Sequence, residues 1–475
     1  METLTAARIL PPGPSRQATR LTRLGDWMAV HRRTILTVQC FIVTIYLTVV
    51  VVPAFLPHPQ ADARLLPGDS VAMWQDRLVL FAQYLFWGVW WPFTILSIML
   101  VGRVWCGVLC PEGALTEFAS RHGRGLAIPK WLRWSGWPPT AFVLTTLYGQ
   151  LVSVYEYPQA ALLILGGSSV AAVVIGYLYG KGKRVWCRYL CPVTGVFALL
   201  ARLAPVYFRV DRAAWDAVPQ RTMAVDCAPL LDVKHLRGNA QCHSCGRCSG
   251  HRNAVTLAWR SPQAEILGGA TPSTIEALLL IFGMLGVALG AFQWTVSPWF
   301  VQIRQQAAEW LVNADILWPL ADCPSWWLLT SYPEVHDVFT WLDGAAILAY
   351  IGAVAVALGG TTLLAVCGAA RLAGVDWQRL ALCLTPLGGI GLFLGLSMMT
   401  VTHLRAEGLA MPWLGALRGV LLGLGVLWSA WLGLQMMRTS PSGWVGASRR
   451  SATCILWMAP LIAVGASWIL VFYVW

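Results

Sequence analysis

Nine apolar stretches, each about 20 residues long, constrain this chain more than any other feature of its sequence. A helix of that length crosses about 30 Å of hydrocarbon and satisfies its own backbone hydrogen bonds. Composition agrees, because 57% of the 475 residues are hydrophobic and only 12% are charged. We therefore predict an all-α polytopic membrane protein. Its nine or so transmembrane helices are expected at 35–55, 79–102, 138–157, 160–180, 275–297, 345–367, 379–402, 412–436 and 453–474.

The basic residues are distributed unevenly between the two sides that these helices define. With the N-terminus inside, 29 of the 34 lysines and arginines fall in inner segments. This bias follows the positive-inside rule, so the net charge of +12 indicates topology and lipid contact and not a nucleic-acid partner. We predict a bacterial cytoplasmic (inner) membrane protein whose N-terminus is cytoplasmic and whose C-terminus is periplasmic.

The same pattern divides the chain into four segments. Residues 1–34 are expected to form a basic cytoplasmic arm that either contacts anionic lipid or is disordered in solvent, and 35–180 a first membrane bundle. Residues 181–265 form a small cytoplasmic segment rich in cysteine. Residues 266–475 form a second membrane bundle with a periplasmic loop at about 298–344.

A nine-residue motif occurs twice, 81 residues apart. Arg103–Pro111 reads RVWCGVLCP, and Arg184–Pro192 reads RVWCRYLCP. Two predicted spans lie between the copies, so both are expected on the cytoplasmic side, around an approximate two-fold axis normal to the membrane. Cysteines four apart share one face of a helix, and the proline after each pair marks where the helix breaks.

The paired cysteines are candidate ligands for a metal centre. Four thiolates can complete one tetrahedral soft-metal or iron-sulfur site. Neighbouring arginines favour the thiolate over the thiol. Simple packing of buried thiols is the alternative, but repetition of the whole motif argues against it. The four cysteines are Cys106, Cys110, Cys187 and Cys191, and the arginines are Arg103, Arg184 and Arg188.

A second constellation is the triplet Cys242-x2-Cys245-x2-Cys248. This spacing supplies three ligands of a bacterial-type 4Fe-4S cluster, but Arg252 occupies the position of the usual fourth cysteine. We predict Cys227 as the fourth ligand; the alternatives are solvent, Asp226, His243 and His251. A zinc ion bound by the same four thiolates is the rival to the cluster. Disulfides are not expected in a reducing cytoplasm.

The repeats and the triplet together resemble the membrane-bound, ferredoxin-like 4Fe-4S proteins of the NapH/NosR/CcoG type. The resemblance covers approximately residues 75–260 and rests on Trp105–Pro111, Trp186–Pro192 and the cysteines ending at Cys248. It implies an electron carrier in the cytoplasmic membrane that links a quinol pool or cytoplasmic donor to a membrane or periplasmic reductase system. The chain departs from the group in having a single recognisable triplet and about 200 further residues of membrane sequence.

Other cofactors have weaker sequence support. His336 and His403 both fall near the outer surface and could in principle hold haem. Thr271 lies in a faint likeness to an FMN attachment signature, although a helix start with Thr271 as cap and Pro272 in the first turn explains this stretch better. Polar residues near His403 could help to bind a quinone or a periplasmic partner. Cys323 stands alone, and Cys40, Cys367, Cys383 and Cys454 are interpreted as packing residues.

Two functional hypotheses follow. In the first, the protein transfers electrons through a cluster at the triplet, and the paired repeats form a second centre that relays them into the membrane. Its redox partner proteins then dock at the cytoplasmic face, the periplasmic face or both. In the second, paired thiolates handle or help to assemble copper or zinc, including a cupric reductase role. We assign no catalytic residue, and expect an electron-transfer subunit more than a stand-alone enzyme.

Overall fold

The computed structural model describes residues 19–59, 65, 73–218, 225–439 and 447–475. The first 18 residues of the predicted basic arm lie outside this range. Within it, eight helices are long and apolar enough to cross a membrane. They are Arg32–Phe55, Trp74–Val101, Pro158–Tyr179, Thr274–Gln293, Trp341–Ala373, Trp377–Ala406, Leu414–Arg438 and Ser448–Val474. These helices confirm the all-α polytopic membrane fold.

The remaining predicted span, 138–157, forms a shorter helix. It runs over Trp137–Leu151, 15 residues, and begins with prolines in its first turn. Gly149 packs against Val154, where the chain turns toward the next helix. At 1.5 Å per residue a helix of this length rises about 22 Å, less than the usual hydrocarbon thickness.

Two compact units divide the chain discontinuously. The first comprises the described residues of Met1–Tyr46, Leu96–Ser135 and Ser169–Ala270. The second comprises those of Leu47–Ile95, Gly136–Ser168 and Thr271–Trp475. The four consecutive segments expected from the sequence stay a prediction.

The first unit contains a small antiparallel sheet that frames the triplet. Strand Val206–Val210 pairs with strand Val255–Trp259, with Phe208 opposite Leu257. Helix Arg20–Val30 packs on this sheet at Gly25, where an added Cβ would lie 3.0 Å from the Cβ of Leu257. The other helices of the unit include Pro111–Arg121, Val185–Tyr189, Thr194–Leu200, Arg212–Ala217 and Ala264–Gly268.

The second unit packs its helices at small residues. A Cβ added at Gly391 would lie 2.4 Å from the indole nitrogen of Trp468, so glycine is required for this approach. The predicted outer loop contains the helix Pro298–Asn313 and a short antiparallel pair, Ser331–Tyr332 with Asp337–Val338.

One predicted helix cap was wrong. The helix Thr274–Leu278 is capped by Ser273 and not by Thr271. The Ser273 hydroxyl accepts a hydrogen bond from the Glu276 amide at 3.2 Å, and the Glu276 carboxylate accepts one from the Ser273 amide at 3.0 Å. This reciprocal capping box satisfies two free amides at once, which a cap at Thr271 could not do.

Candidate metal centres

The two copies of the repeat end their short helices in the same way. The first helix covers Trp105–Leu109, and the Cys110 amide donates to the Trp105 carbonyl at 2.8 Å. In the second copy the Cys191 amide donates to the Trp186 carbonyl at 3.0 Å. The second cysteine of each pair therefore lies just past the helix end. The expectation that both cysteines lie on one helical face was wrong, because each helix stops before its second cysteine.

Arginines join the two copies reciprocally. Arg184 of the second copy donates to the carbonyl oxygens of Cys106 and Gly107, the latter at 3.2 Å. Arg103 of the first copy donates to the Thr194 hydroxyl, just beyond the second copy. Such reciprocal contacts are expected of two copies related by an approximate two-fold axis.

The four thiols of the repeats lie within electrostatic reach of one another. Burial raises the pKa of Cys187 to about 12, and the neighbouring Cys106 adds to this rise. Burial and the thiols of Cys187 and Cys106 raise the pKa of Cys110. Burial, Glu112 and the other three thiols raise that of Cys191. Cys106, Cys110, Cys187 and Cys191 are thus near enough to one another for their charges to interact.

The arginines lower the pKa of a repeat thiol, as predicted, but by less than burial raises it. Arg184 and Arg103 both lower the pKa of Cys187, yet burial outweighs them. The arginines therefore favour the thiolate of Cys187, as predicted, but burial keeps this group a thiol in the metal-free protein. A buried cluster of thiols with raised pKa values needs a further positive charge before it ionises, and a metal centre supplies that charge.

The triplet and Cys227 line one pocket in the first unit. It encloses about 370 Å³ of empty volume, part of which is continuous with solvent. All four of these cysteines contribute to its wall. Most of the rest is apolar, and the other lining residues are Phe208, Pro229, Leu231, Val233, Leu236, His243, Gly246 and Arg247.

The triplet loop folds back on itself through residues with positive φ. Ser244 and Gly246 have φ values of 48° and 75°. The Ser244 amide donates to the Cys242 sulfur at 3.4 Å, which would stabilise a thiolate there. A Cβ at Gly246 would also lie 2.5 Å from the Cβ of Met28, so glycine is needed here twice over.

Three other residues near the triplet, Arg252, His251 and Asp226, do not line this pocket. Arg252, at the usual position of a fourth cysteine, donates to the carbonyl oxygens of Trp215 and Val218, both at 3.1 Å. The His251 ring lies 5.0 Å from the Trp215 ring, and Asp226 accepts a hydrogen bond from Lys183 at 2.7 Å.

His243 is the one alternative that lines the pocket. It is 2% exposed, and burial together with Arg103 and the other nearby arginines lowers its pKa well below the usual range. Within the described residues its Nδ1 has no hydrogen-bond partner.

In the part of the chain that the structure describes, no three His, Cys, Asp or Glu side chains converge closely enough to hold one metal ion. A tetrahedral zinc site with Zn–S bonds of about 2.3 Å needs sulfur atoms about 3.8 Å apart. In a 4Fe-4S cubane each cysteine thiolate binds a different iron atom, so the four cysteine sulfurs lie farther apart than they do around one zinc ion. All 13 cysteines carry free thiols.

The other candidate cofactor residues lie in the second unit. His336 is exposed and has a positive φ of 57°. The Nδ1 of His403 pairs with the Met399 carbonyl within its own helix, at 2.8 Å. Thr271 lies between two helices.

Two acidic residues that the sequence did not single out are central to the first unit. Glu112 accepts a hydrogen bond from the Trp186 indole at 3.0 Å and so links the two repeat copies. Glu117 is 3% exposed and binds three arginines. Both lie on the helix that starts at Pro111. In the sequence, only their charge in a mostly apolar chain indicated that they could have a role.

A family described as a 4Fe-4S binding domain matches residues 84–129 and 162–209. These residues contain both repeat copies, whereas Cys227 and the triplet lie beyond them. Together with the relatives described next, this match confirms the resemblance to membrane-bound 4Fe-4S proteins of the NosR and NapH type.

Three relatives illustrate the match. Regulatory protein NosR of Pseudomonas aeruginosa is 29% identical over 180 residues, which cover 33% of this chain and 24% of NosR. The putative electron transport protein YccM of Escherichia coli is 22% identical over 242 residues, covering 42% of this chain and 64% of YccM. Protein NirI of Paracoccus denitrificans is 30% identical over 136 residues, which cover 24% of this chain and 19% of NirI. The chain thus covers less than two thirds of each relative, and no solved structure matches it significantly.

Proposed function

We propose that this protein is a membrane-anchored iron-sulfur electron carrier. The observation that carries the proposal is the convergence of Cys227 with the triplet around one apolar pocket. These four thiolates would hold a 4Fe-4S cluster. Such a cluster gains and loses one electron at a time.

The wall of the pocket fits that group. Phe208 and Val233 are buried beside Cys242 in one apolar cluster. An apolar wall limits the access of water and helps to set a reduction potential. Arg247 lies in the same wall and supplies a positive charge next to Cys248.

We further propose a second 4Fe-4S centre on Cys106, Cys110, Cys187 and Cys191. Two observations support it: the family match on the residues that contain them and the mutual electrostatic effect of their thiols. Their two helix ends are fixed against each other by the reciprocal arginines. The protein would then hold two centres in one unit, one on each set of four thiolates.

We also propose a membrane arrangement, which the same contacts support. Because Arg184 bonds to the Cys106 carbonyl, both repeat copies lie on one side of the membrane. The helix Pro158–Tyr179 between them crosses once, so a second crossing is needed, and Trp137–Leu151 supplies it. Nine crossings put the termini on opposite sides. The positive-inside rule then places the N-terminus in the cytoplasm and the C-terminus in the periplasm of an inner membrane.

Reporter fusions test this arrangement. A reporter active only in the periplasm should work after Trp475, within Pro298–Asn313 and in the turn between Leu151 and Pro158, and should fail directly after Arg121. Activity only in the cytoplasm after Trp475 would mean eight crossings and would overturn the assignment of Trp137–Leu151.

Anaerobic purification tests the function. Two clusters predict about eight iron atoms and eight sulfide ions per chain, and one cluster predicts about four of each. Reduction by a low-potential donor should bleach the brown protein and produce a paramagnetic signal. A colourless protein loaded with zinc or copper would overturn this proposal and favour metal handling. The electron donor, whether quinol or a cytoplasmic protein, is then sought by following reduction of the oxidised protein, and the acceptor by following reoxidation of the reduced protein.

A further inference from the structure

One buried carboxylate links the helix that follows the first cysteine motif to the other two cysteine motifs of the first unit. Glu117 lies on the helix Pro111–Arg121, which begins directly after Cys110. Its Oε2 accepts a hydrogen bond from Arg184 Nε at 2.9 Å. Its Oε1 accepts hydrogen bonds from Arg247 and, at 2.7 Å, from Arg121.

Two of these arginines belong to the other cysteine motifs. Arg184 opens the second repeat copy, three residues before Cys187, and is fully buried. Arg247 lies between Cys245 and Cys248 in the triplet. The Glu117 side chain therefore connects the helix after the first motif to the second motif and to the triplet.

The same network of ion pairs extends to the residue before Cys227, the proposed fourth cluster ligand. The second guanidinium nitrogen of Arg247 lies 3.5 Å from the carboxylate of Asp226, the residue before Cys227. Asp226 also binds Lys183, which precedes Arg184. A guanidinium offers its donors in a rigid planar fork, so these contacts fix directions as well as distances.

The two candidate centres meet next to this network. A Cβ added at Gly107 would lie 2.1 Å from the His243 carbonyl oxygen and 3.0 Å from the Cys245 Cα. The Cα atoms of Cys106 and Cys245 are therefore within about 8 Å of each other. Gly107 also receives a hydrogen bond from Arg184, which ties the contact to Glu117.

We propose that Glu117 is a positioning residue that fixes the separation between the paired-repeat centre and the triplet centre, and so controls electron exchange between them. This inference rests on the proposed function. Glu117 reaches neither set of cysteines directly. It acts through Arg184 on one side and Arg247 on the other, and its loss leaves both sets of four thiols intact.

The test compares Glu117→Gln with Arg121→Gln in the full-length protein purified anaerobically. Gln keeps the size of the side chain but removes the charge that holds all three arginines, including Arg184 and Arg247 of the other motifs. Arg121 binds the same carboxylate but belongs to the same helix as Glu117, so its loss breaks no link between motifs. The readouts are iron content and the magnetic interaction between the two centres in the fully reduced protein, measured by electron paramagnetic resonance.

We expect Glu117→Gln to keep its iron and to lose the broadening or splitting caused by the neighbouring centre, while Arg121→Gln retains it. An unchanged interaction in Glu117→Gln would overturn the positioning role. If Glu117→Gln does not accumulate, Arg247→Lys, which keeps the charge but loses the fork, is measured instead with the same criteria. A wild-type protein with iron but no interaction would overturn the two-centre function and this inference with it.

Discussion

The guanidinium of Arg184 donates a hydrogen bond to the carbonyl oxygen of Cys106, across the two copies of one repeated motif. The same guanidinium binds Glu117 and is fully buried. The two copies of the motif thus form one site only when they are folded against each other.

Replacing Arg184 should be strongly destabilising. Arg184→Gln leaves part of the Glu117 charge without a partner and removes two contacts to the first copy. Removing one member of a buried ion pair costs about 3–5 kcal/mol. We expect a clear fall in the unfolding temperature in detergent, whereas replacing the half-exposed Arg32, which lies 3.9 Å from Asp226, should change it little. Equal effects of the two changes would contradict the role of Arg184.

Cys227→Ser should remove the iron of the triplet site, because this thiol completes the ring of four around the pocket. Cys40→Ser, which changes an exposed cysteine, is the matched control and should keep full iron content. Adding Arg252→Cys to Cys227→Ser should not restore the iron, since residue 252 is turned toward Trp215. Restored iron in the double variant would show that the usual fourth position can serve after all.

The double variant Cys106→Ser, Cys187→Ser should lose the second centre while keeping the first. These two thiols are the buried members of the paired set. Iron should fall by about half if both centres are 4Fe-4S clusters. Cys367→Ser with Cys454→Ser serves as the control. Unchanged iron in the test variant would mean that the repeats hold no cluster.

Gly107→Ala should disturb both centres. A Cβ at this position meets the backbone of His243 at 2.1 Å, and backbone cannot move aside as a flexible side chain can. We expect a lower unfolding temperature and less iron. Gly360→Ala, where nothing lies within 4 Å of the new Cβ, should be neutral or slightly stabilising. Full iron and unchanged stability in Gly107→Ala would contradict the close contact.

The ion pairs of Glu117 should persist well into acid. Burial raises its pKa, but Arg184 and Arg247 overcome this and lower it to about 2. An unfolded glutamate has a pKa of about 4.3. The stabilisation from this charge is therefore full above the unfolded pKa and is lost as the pH falls toward about 2. The difference in unfolding temperature between wild type and Glu117→Gln should be constant from pH 8 to about pH 5 and shrink only below about pH 4. A difference that already shrinks between pH 7 and pH 5 would contradict this assignment.

Local and compositional features were predictable from the sequence. Long apolar runs have few alternatives to membrane-spanning helices, so the fold class and eight of the nine spans followed directly. The proline after the second cysteine predicted that the helix ends near this point. It did not predict that the last helical residue is Leu109, so that Cys110 lies outside the helix. The repeat predicted that Cys106 and Cys187 belong together, because equivalent sequences fold equivalently.

Tertiary structure alone decided the partners of these residues. That Cys227 faces the triplet, and Arg252 faces Trp215, depends on the path of the chain around the small sheet. The Glu117 network joins residues 67 and 130 positions apart, and no sequence period marks such a contact. The amino-acid sequence determined which side chains could serve as ligands and that they stand beside a membrane. Only folding determined which of them meet, because long-range contacts depend on the packing of the whole unit.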